Sequence, residues 1–343
     1  MKLGITGLPL SGKTTIFEAL TGLQHEPEKK SELKRALVKV PDERIDRLSE
    51  IFNPNKKIYA TIEYILPSQT AVSGKQGEDS RLNSIRDCDA FIHVLRNFKL
   101  TGSDQPSPAE DFKKLDEELI FNDLVVTEKR IERLELDKKR HRQIDEKEEK
   151  LLHRCHEILE NNEPLRHHPD IANAPELKGF AFLSGRPVLV ILNNSDDDKN
   201  LPDLPGITDR EICTVVQGEI EYEISQMNPE DAETFLKEYG ILEPAVNKVI
   251  RLSYDLLGLI SFLTVGKDEV RAWTIKKNTA AVDAAEAVHS DIKKGFIRAE
   301  VVSYKDFIEA GSYAEARKHG KVRLEGKTYI VQDGDIIDFR FNV

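Results

Sequence analysis

Gly7-Leu8-Pro9-Leu10-Ser11-Gly12-Lys13-Thr14 stands directly behind the short apolar run Lys2 to Thr6 and fits the pattern G-x-x-x-x-G-K-[ST]. That pattern reads as a phosphate-binding loop. Glycines at both ends let the backbone curl so that successive N–H groups point inward at phosphate oxygens, and the helix starting near Lys13 adds the positive end of its dipole. Lys13 is then the catalytic lysine that reaches the β- and γ-phosphates, and the Thr14 hydroxyl is the expected Mg²⁺ ligand. The expected phosphate contacts are Gly7, Leu8, Pro9, Leu10, Ser11, Gly12, Lys13, Thr14 and Thr15. The context agrees, because a strand pattern precedes the loop and an amphipathic helix follows, with Ile16, Ala19 and Leu20 on one face. The alternative is a glycine-rich turn that only happens to contain Lys-Thr.

Outward from the loop, Gly22 to Arg35 is polar and charged and reads as a mobile loop. Ala36 to Val40 is a short strand, and Pro41-Asp42 opens a helix in which Ile45, Leu48, Ile51 and Phe52 share a face. Ala60 to Leu66 alternates as a strand. Ala90 to Leu95 and Pro187 to Leu192 are near-continuous apolar runs, as expected for parallel strands covered on both faces, and Ile212 to Val216 is a further candidate. Strands alternating with helices behind a phosphate loop imply a doubly wound α/β domain with its ligand at the carboxyl ends of the strands. Between the two apolar strands, Glu110 to Asn161 lacks proline and glycine and carries apolar residues at helical spacing. Leu115, Leu119, Ile131 and Leu134 mark one arm, Leu151, Leu152, Cys155, Ile158 and Leu159 the other, and Asp137 to Lys147 the tip. The spacing predicts an inserted coiled-coil-like hairpin; a single long solvated helix is the alternative. The last eighty or so residues read as a small mixed α+β module, with strands at Val270 to Ile275, Phe296 to Val302, Leu324 to Val331 and Asp335 to Asn342, and an alanine-rich helix at Ala280 to Ser290. A domain boundary is expected near Gly258 to Lys267.

The 343 residues are more than one ordinary domain of ~150 needs. A net charge of −11 argues against unspecific nucleic-acid binding, and DNA is not an expected partner. Cys88, Cys155 and Cys213 are far apart with no C-x-x-C spacing, which fits buried thiols in a reducing cytoplasm better than a disulfide framework or a zinc site. No run of ~18 apolar residues suggests a membrane span.

The C-terminal segments Glu269 to Lys277, Lys294 to Glu300, Leu324 to Val331 and Phe339 to Val343 resemble the TGS domain of the YchF family, the Obg-related proteins that include the Obg-like ATPases. Gly218 to Ile224 and Arg251 to Gly258 resemble family segments too, and the likeness spans nearly the full length. It implies a P-loop NTPase domain (1–108 and 180–260), a helical insert (109–179) and a ubiquitin-like α+β TGS domain (261–343). It also implies ATP in preference to GTP, and a ribosome or RNA as partner through the TGS domain and the insert. Lys276, Lys277, Lys293, Lys294 and Arg298 could form a basic face for RNA backbone contacts. The departures are specific. Where the family carries Asp-x-Ala-Gly, the chain reads Leu66-Pro67-Ser68-Gln69, and the Gln24 to Arg35 loop lacks the switch I threonine. Asp87 and Asp89 precede a strand and lie at the wrong end of a sheet to replace the missing metal contact. Slow or absent hydrolysis is the expectation.

The base-reading signal belongs after Leu192, where the chain has Asn193-Asn194-Ser195-Asp196. GTPases use Asn-Lys-x-Asp and the resembled family Asn-x-x-Glu, so this stretch falls between them. Asn193, Asp196, Gln217 and Gly218 are the expected base-side contacts. Asp196 could read guanine, yet Asn194 replaces the lysine that normally covers the pocket; a plain Asn/Asp-rich turn is the alternative.

Overall fold

The computed structural model describes residues 1–24, 33–68, 81–102 and 104–342. Most of the expected mobile loop and Gln69 of the switch II stretch lie outside the described residues. In chain order the first elements are β1 (Lys2–Thr6), α1 (Lys13–Thr21), β2 (Lys34–Lys39), α2 (Glu43–Phe52), β3 (Lys56–Ile58), β4 (Thr61–Leu66) and β5 (Ala90–Asn97). They are followed by α3 (Pro108–Lys139), α4 (Glu146–Glu160), β6 (Val188–Asn194), β7 (Ile212–Val216), α5 (Gly218–Gln226), α6 (Pro229–Glu238) and α7 (Ala245–Leu256). The C-terminal part holds β8 (Leu259–Val265), β9 (Glu269–Lys276), α8 (Ala281–Val288), α9 (Ser290–Lys294), β10 (Phe296–Ser303), α10 (Tyr304–Ala310), α11 (Tyr313–Lys318), β11 (Arg323–Glu325) and β12 (Asp335–Phe341).

The chain divides into two compact units, residues 1–36 with 63–249, and 37–62 with 250–343. The first is built on a sheet in the order β2-β4-β1-β5-β6-β7. Parallel registers such as Gly4↔Ile65, Thr6↔His93, Leu95↔Leu192 and Leu192↔Val215 bring the carboxyl ends of its central strands to one edge. The apolar runs Ala90–Leu95 and Val188–Leu192 are buried throughout, which is why they show no alternation. Phe91, Leu95, Val190 and Leu192 share a core with Phe112, Leu115 and Leu119 at the base of α3. The helical insert is a hairpin of antiparallel arms, as the pairs Asn162–Glu117, His156–Glu128 and Lys138–Glu149 show, and the single-helix alternative is excluded. Leu134, Leu152, Cys155 and Leu159 are buried between the arms, with Ile131, Leu151 and Ile158 packed against them. Asp123, buried in α3, accepts hydrogen bonds from the Leu183 and Ser184 amides at 2.9 and 2.7 Å and ties the arm to the chain returning to β6.

The second unit carries a sheet in the order β11-β10-β12-β8-β9-β3. The structure departs from the sequence expectations at several points. Gly258 to Lys267, expected as a boundary, is mostly strand β8, paired antiparallel with β9 from Leu259↔Lys276 to Val265↔Val270. Residues 56–58 join this unit as β3, parallel to β9, although they follow the phosphate-loop half in sequence. Of Leu324 to Val331, only Arg323–Glu325 is strand; the return is made by an isolated bridge between Ile330 and Ala280. The expected alanine-rich helix breaks at His289, whose extended backbone caps a separate short helix through its ring. In α2, Ile45 and Leu48 are buried and Phe52 stacks on Phe307, but Ile51 faces solvent. Asp42 caps α2 through the Arg44 amide, and the Arg44 guanidinium bridges Asp42 and Asp333, while Asp333 accepts from the Ser261 amide at 2.9 Å. Among the described residues no helix is long and apolar enough to cross a membrane.

Candidate functional site

The loop from Gly7 to Lys13 is held by bonds that leave its glycines no substitutes. Ser11 N donates to Leu8 O at 3.2 Å, and the Lys13 ammonium folds back onto the same carbonyl at 3.1 Å. Gly12 sits at φ 85° before α1, in the left-handed region, and a Cβ there would come within 2.1 Å of Asn193 Nδ2. At Gly7 a Cβ would meet Ser11 Oγ at 2.5 Å and Val94 O at 2.8 Å. No side chain caps the start of α1, so its positive end faces the loop. Leu10 is exposed at φ 66°, a conformation that costs a branched-chain residue energy and that the loop imposes.

Burial pushes Lys13 down to about 8, with the Arg81 guanidinium adding repulsion. An arriving anion favours the charged form, so this lysine is poised for a phosphate. Arg81 itself pairs with Glu118 on α3. Beneath the loop, Thr6 Oγ1 meets His93 Nδ1 at 2.6 Å; burial drives that histidine down to about 4, so it is a neutral part of the core. A histidine inside an apolar strand was the sequence signal for this contact, and the sequence reading passed over it.

Asn193 is the residue that draws the separate stretches together. Buried at the end of β6, it donates from Nδ2 to Ser11 O and accepts at Oδ1 from the Gly218 amide, both at 3.0 Å. A Cβ at Gly218 would come within 2.7 Å of that oxygen. The phosphate loop, the β6 end and the β7 end are thereby one construction. Asp196 is exposed, and its main-chain oxygen accepts from the Gln217 side-chain amide. Asn194 does not cover a base: it is buried, donates to Asp198 O and Asn200 O at 3.2 and 2.9 Å, and accepts from Asn97. Thr14 and Thr15 stand in the first turn of α1.

The metal side of the site is different. β4 ends at Leu66, which is buried at the position parallel to the end of β1, and no carboxylate stands there. Asp89 accepts from the Lys2 amide at 2.8 Å, which fixes it at the opposite end of the sheet, as the sequence order implied. Among the described residues no group of three or more His, Cys, Asp and Glu side chains could hold a metal. A Mg²⁺ ion would find the Thr14 hydroxyl and the phosphates of its own nucleotide; the strand-end carboxylate that ordinarily completes the set is absent, so the residues do not fit a fully held ion. Burial disfavours the thiolates, raising Cys88 and Cys155 to about 12 and Cys213 to about 11.

The expected basic face is weakened in the structure. Lys293 is engaged by Asp283 and Glu286, and Lys294 by Asp291.

A phosphate loop between the first strand and first helix of a mostly parallel sheet, braced by an asparagine from a later strand end, defines a P-loop protein of the doubly wound α/β class. The comparisons narrow that class. The proteins named Ribosome-binding ATPase YchF of Haemophilus ducreyi and Bacillus subtilis are 38% and 36% identical to this chain, over 100% and 99% of it and 99% of each relative. The chain belongs to the YchF family. A family model for the C-terminal part, YchF-GTPase_C, described as a protein of unknown function (DUF933), matches residues 259–342. The solved structure of the Schizosaccharomyces pombe YchF GTPase superposes with a TM-score of 0.85 at 26% identity, covering 99% of this chain and 97% of that one.

Proposed function

We propose that this chain is a cytoplasmic purine-nucleotide-binding protein that takes ATP in preference to GTP, associates with the ribosome, and hydrolyses its nucleotide slowly or not at all. The observation that carries the reading is the joined construction around Asn193, which ties a phosphate cradle to the two strand-end loops where a base would sit. The ATP preference is supported by the names of the relatives and by the buried, self-satisfied Asn194; the exposed Asp196 carboxylate favours GTP as the second reading. Ribosome association is supported by the relatives' names, with the TGS-like C-terminal unit and the helical hairpin as the contact regions.

Slow hydrolysis follows from the groups that are absent. Phosphoryl transfer depends on positioning and on stabilising charge, and this site supplies Lys13 and Thr14 but no strand-end carboxylate at Leu66. Lys13 holds the phosphates, the helix dipole of α1 adds to it, and no described side chain orients a water against the terminal phosphate. Thermal-shift titration of nucleotide-free protein with ATP and GTP tests the binding, and at least tenfold tighter GTP binding would reverse the base preference. Co-sedimentation with ribosomes across a salt series tests the partner; pelleting that does not weaken as salt rises would remove phosphate contacts as its basis. Turnover as fast as that of switch-bearing relatives, lost in Lys13→Ala, would overturn the slow-hydrolysis reading.

A further inference from the structure

The side-chain amide of Gln217 is held in one orientation by what it meets. Gln217 follows β7 and precedes Gly218, and its Nε2 donates to the main-chain oxygen of Asp196 in the loop after β6. A main-chain carbonyl only accepts, so the amide must turn its NH₂ toward Asp196 and its Oε1 the other way. No hydrogen bond to that Oε1 exists among the described residues. Gly218 is joined to Asn193, and Asn193 to Ser11, so this unspent acceptor stands at the same carboxyl edge of the sheet as the phosphate cradle. Purines differ there in chemistry: adenine presents an amino donor at its 6-position, guanine and hypoxanthine a carbonyl acceptor.

We infer that Gln217 is the residue that selects the 6-amino group of the nucleotide's base, its Oε1 accepting from adenine and opposing the oxygen of a 6-oxopurine. The inference rests on the nucleotide-binding reading above and gives its base preference a specific atom. Asp196 is the competing reader, since its exposed carboxylate could accept from the ring N–H and 2-amino groups of guanine. The two assignments separate cleanly, because replacing the Asp196 side chain leaves the main-chain oxygen that orients Gln217.

Affinities of the full chain for ATP, ITP and GTP, measured by calorimetry for the native protein, Gln217→Ala and Asp196→Ala, test the assignment. A gained hydrogen bond and a relieved acceptor clash together predict ATP over ITP by about tenfold or more in the native chain. In Gln217→Ala that ratio falls to about one, mainly through weaker ATP binding, while Asp196→Ala does not lower it. Equal ATP and ITP affinity in the native chain, or an ATP preference that survives Gln217→Ala, would overturn the role of Gln217 and leave nucleotide binding standing. A GTP preference lost in Asp196→Ala would pass the role to Asp196. Binding of none of the three would fell the nucleotide reading itself.

Discussion

Two neighbouring strands of one sheet end in opposite conditions. After β1, the chain forms a loop whose glycines, main-chain oxygens and lysine are each committed to one geometry. After β4, the same edge of the sheet is finished by Leu66, a buried aliphatic residue with nothing to offer a metal or a phosphate. The difference teaches that holding a nucleotide and cleaving it are separable physical tasks. Holding needs a nest of N–H groups and a cation at fixed places; cleavage needs further groups that respond to the terminal phosphate. Among the described residues this chain has the glycines and lysine of the first set and no carboxylate at the end of β4.

The contrast is sharpest in two substitutions. Lys13→Ala removes the only cation of the loop and is expected to weaken ATP and GTP binding by at least about a hundredfold, with the fold intact. Unchanged affinity in a titration would erase the distinction between the two strand ends. Leu66→Ala is expected to do the reverse, costing about 2–5 kcal/mol of stability in denaturant unfolding while leaving nucleotide affinity within about twofold. A large affinity loss in that variant would show that the β4 end contributes to binding after all.

A smaller effect comes from pH. Lys13 lies near 8 in the free protein, and bound phosphates favour its charged form, so its bound value is higher. Affinity is therefore full below about 8 and falls about tenfold per pH unit as pH rises above it, because binding must then take up a proton. Calorimetry between about pH 6.5 and about pH 9.5 reads this slope, and Lys13→Arg, charged throughout, should flatten it. A level profile in the native chain would place the phosphate charge elsewhere.

The smallest effect concerns the loop's underside. Ser11 Oγ is buried with no hydrogen-bond partner among the described residues, so Ser11→Ala should change stability by no more than about 1 kcal/mol. A larger loss of stability in denaturant unfolding of that variant would mean that the hydroxyl has a partner, such as a bound water.

Local signals carried much of this molecule. The phosphate loop, the two apolar central strands and the arms of the hairpin were legible because each is written in adjacent residues: fixed spacing, continuous burial, and a helical period. Asp196 and Gln217 could be named as base-side candidates, but nothing local foretold that one would orient the other's amide. Asn194, which stands where a GTPase has the lysine that covers the base, is absorbed in its own loop, since the partners that satisfy it, Asn97 and Asn200, are set by the fold.

By itself, then, the sequence determined the form of the glycine-lysine loop and which strand end lacks a carboxylate, because both depend on residue identity at positions a few residues apart. Only the tertiary structure decided that Lys56–Ile58 completes the C-terminal sheet beside β9, that β8 occupies the expected boundary, and that Arg44 reaches Asp333. Such pairings are made by main-chain hydrogen bonds and single charges between segments far apart in the chain. Three residues such as Lys56-Lys57-Ile58 carry no periodicity of their own, and their partner is fixed only when the rest of the sheet has formed.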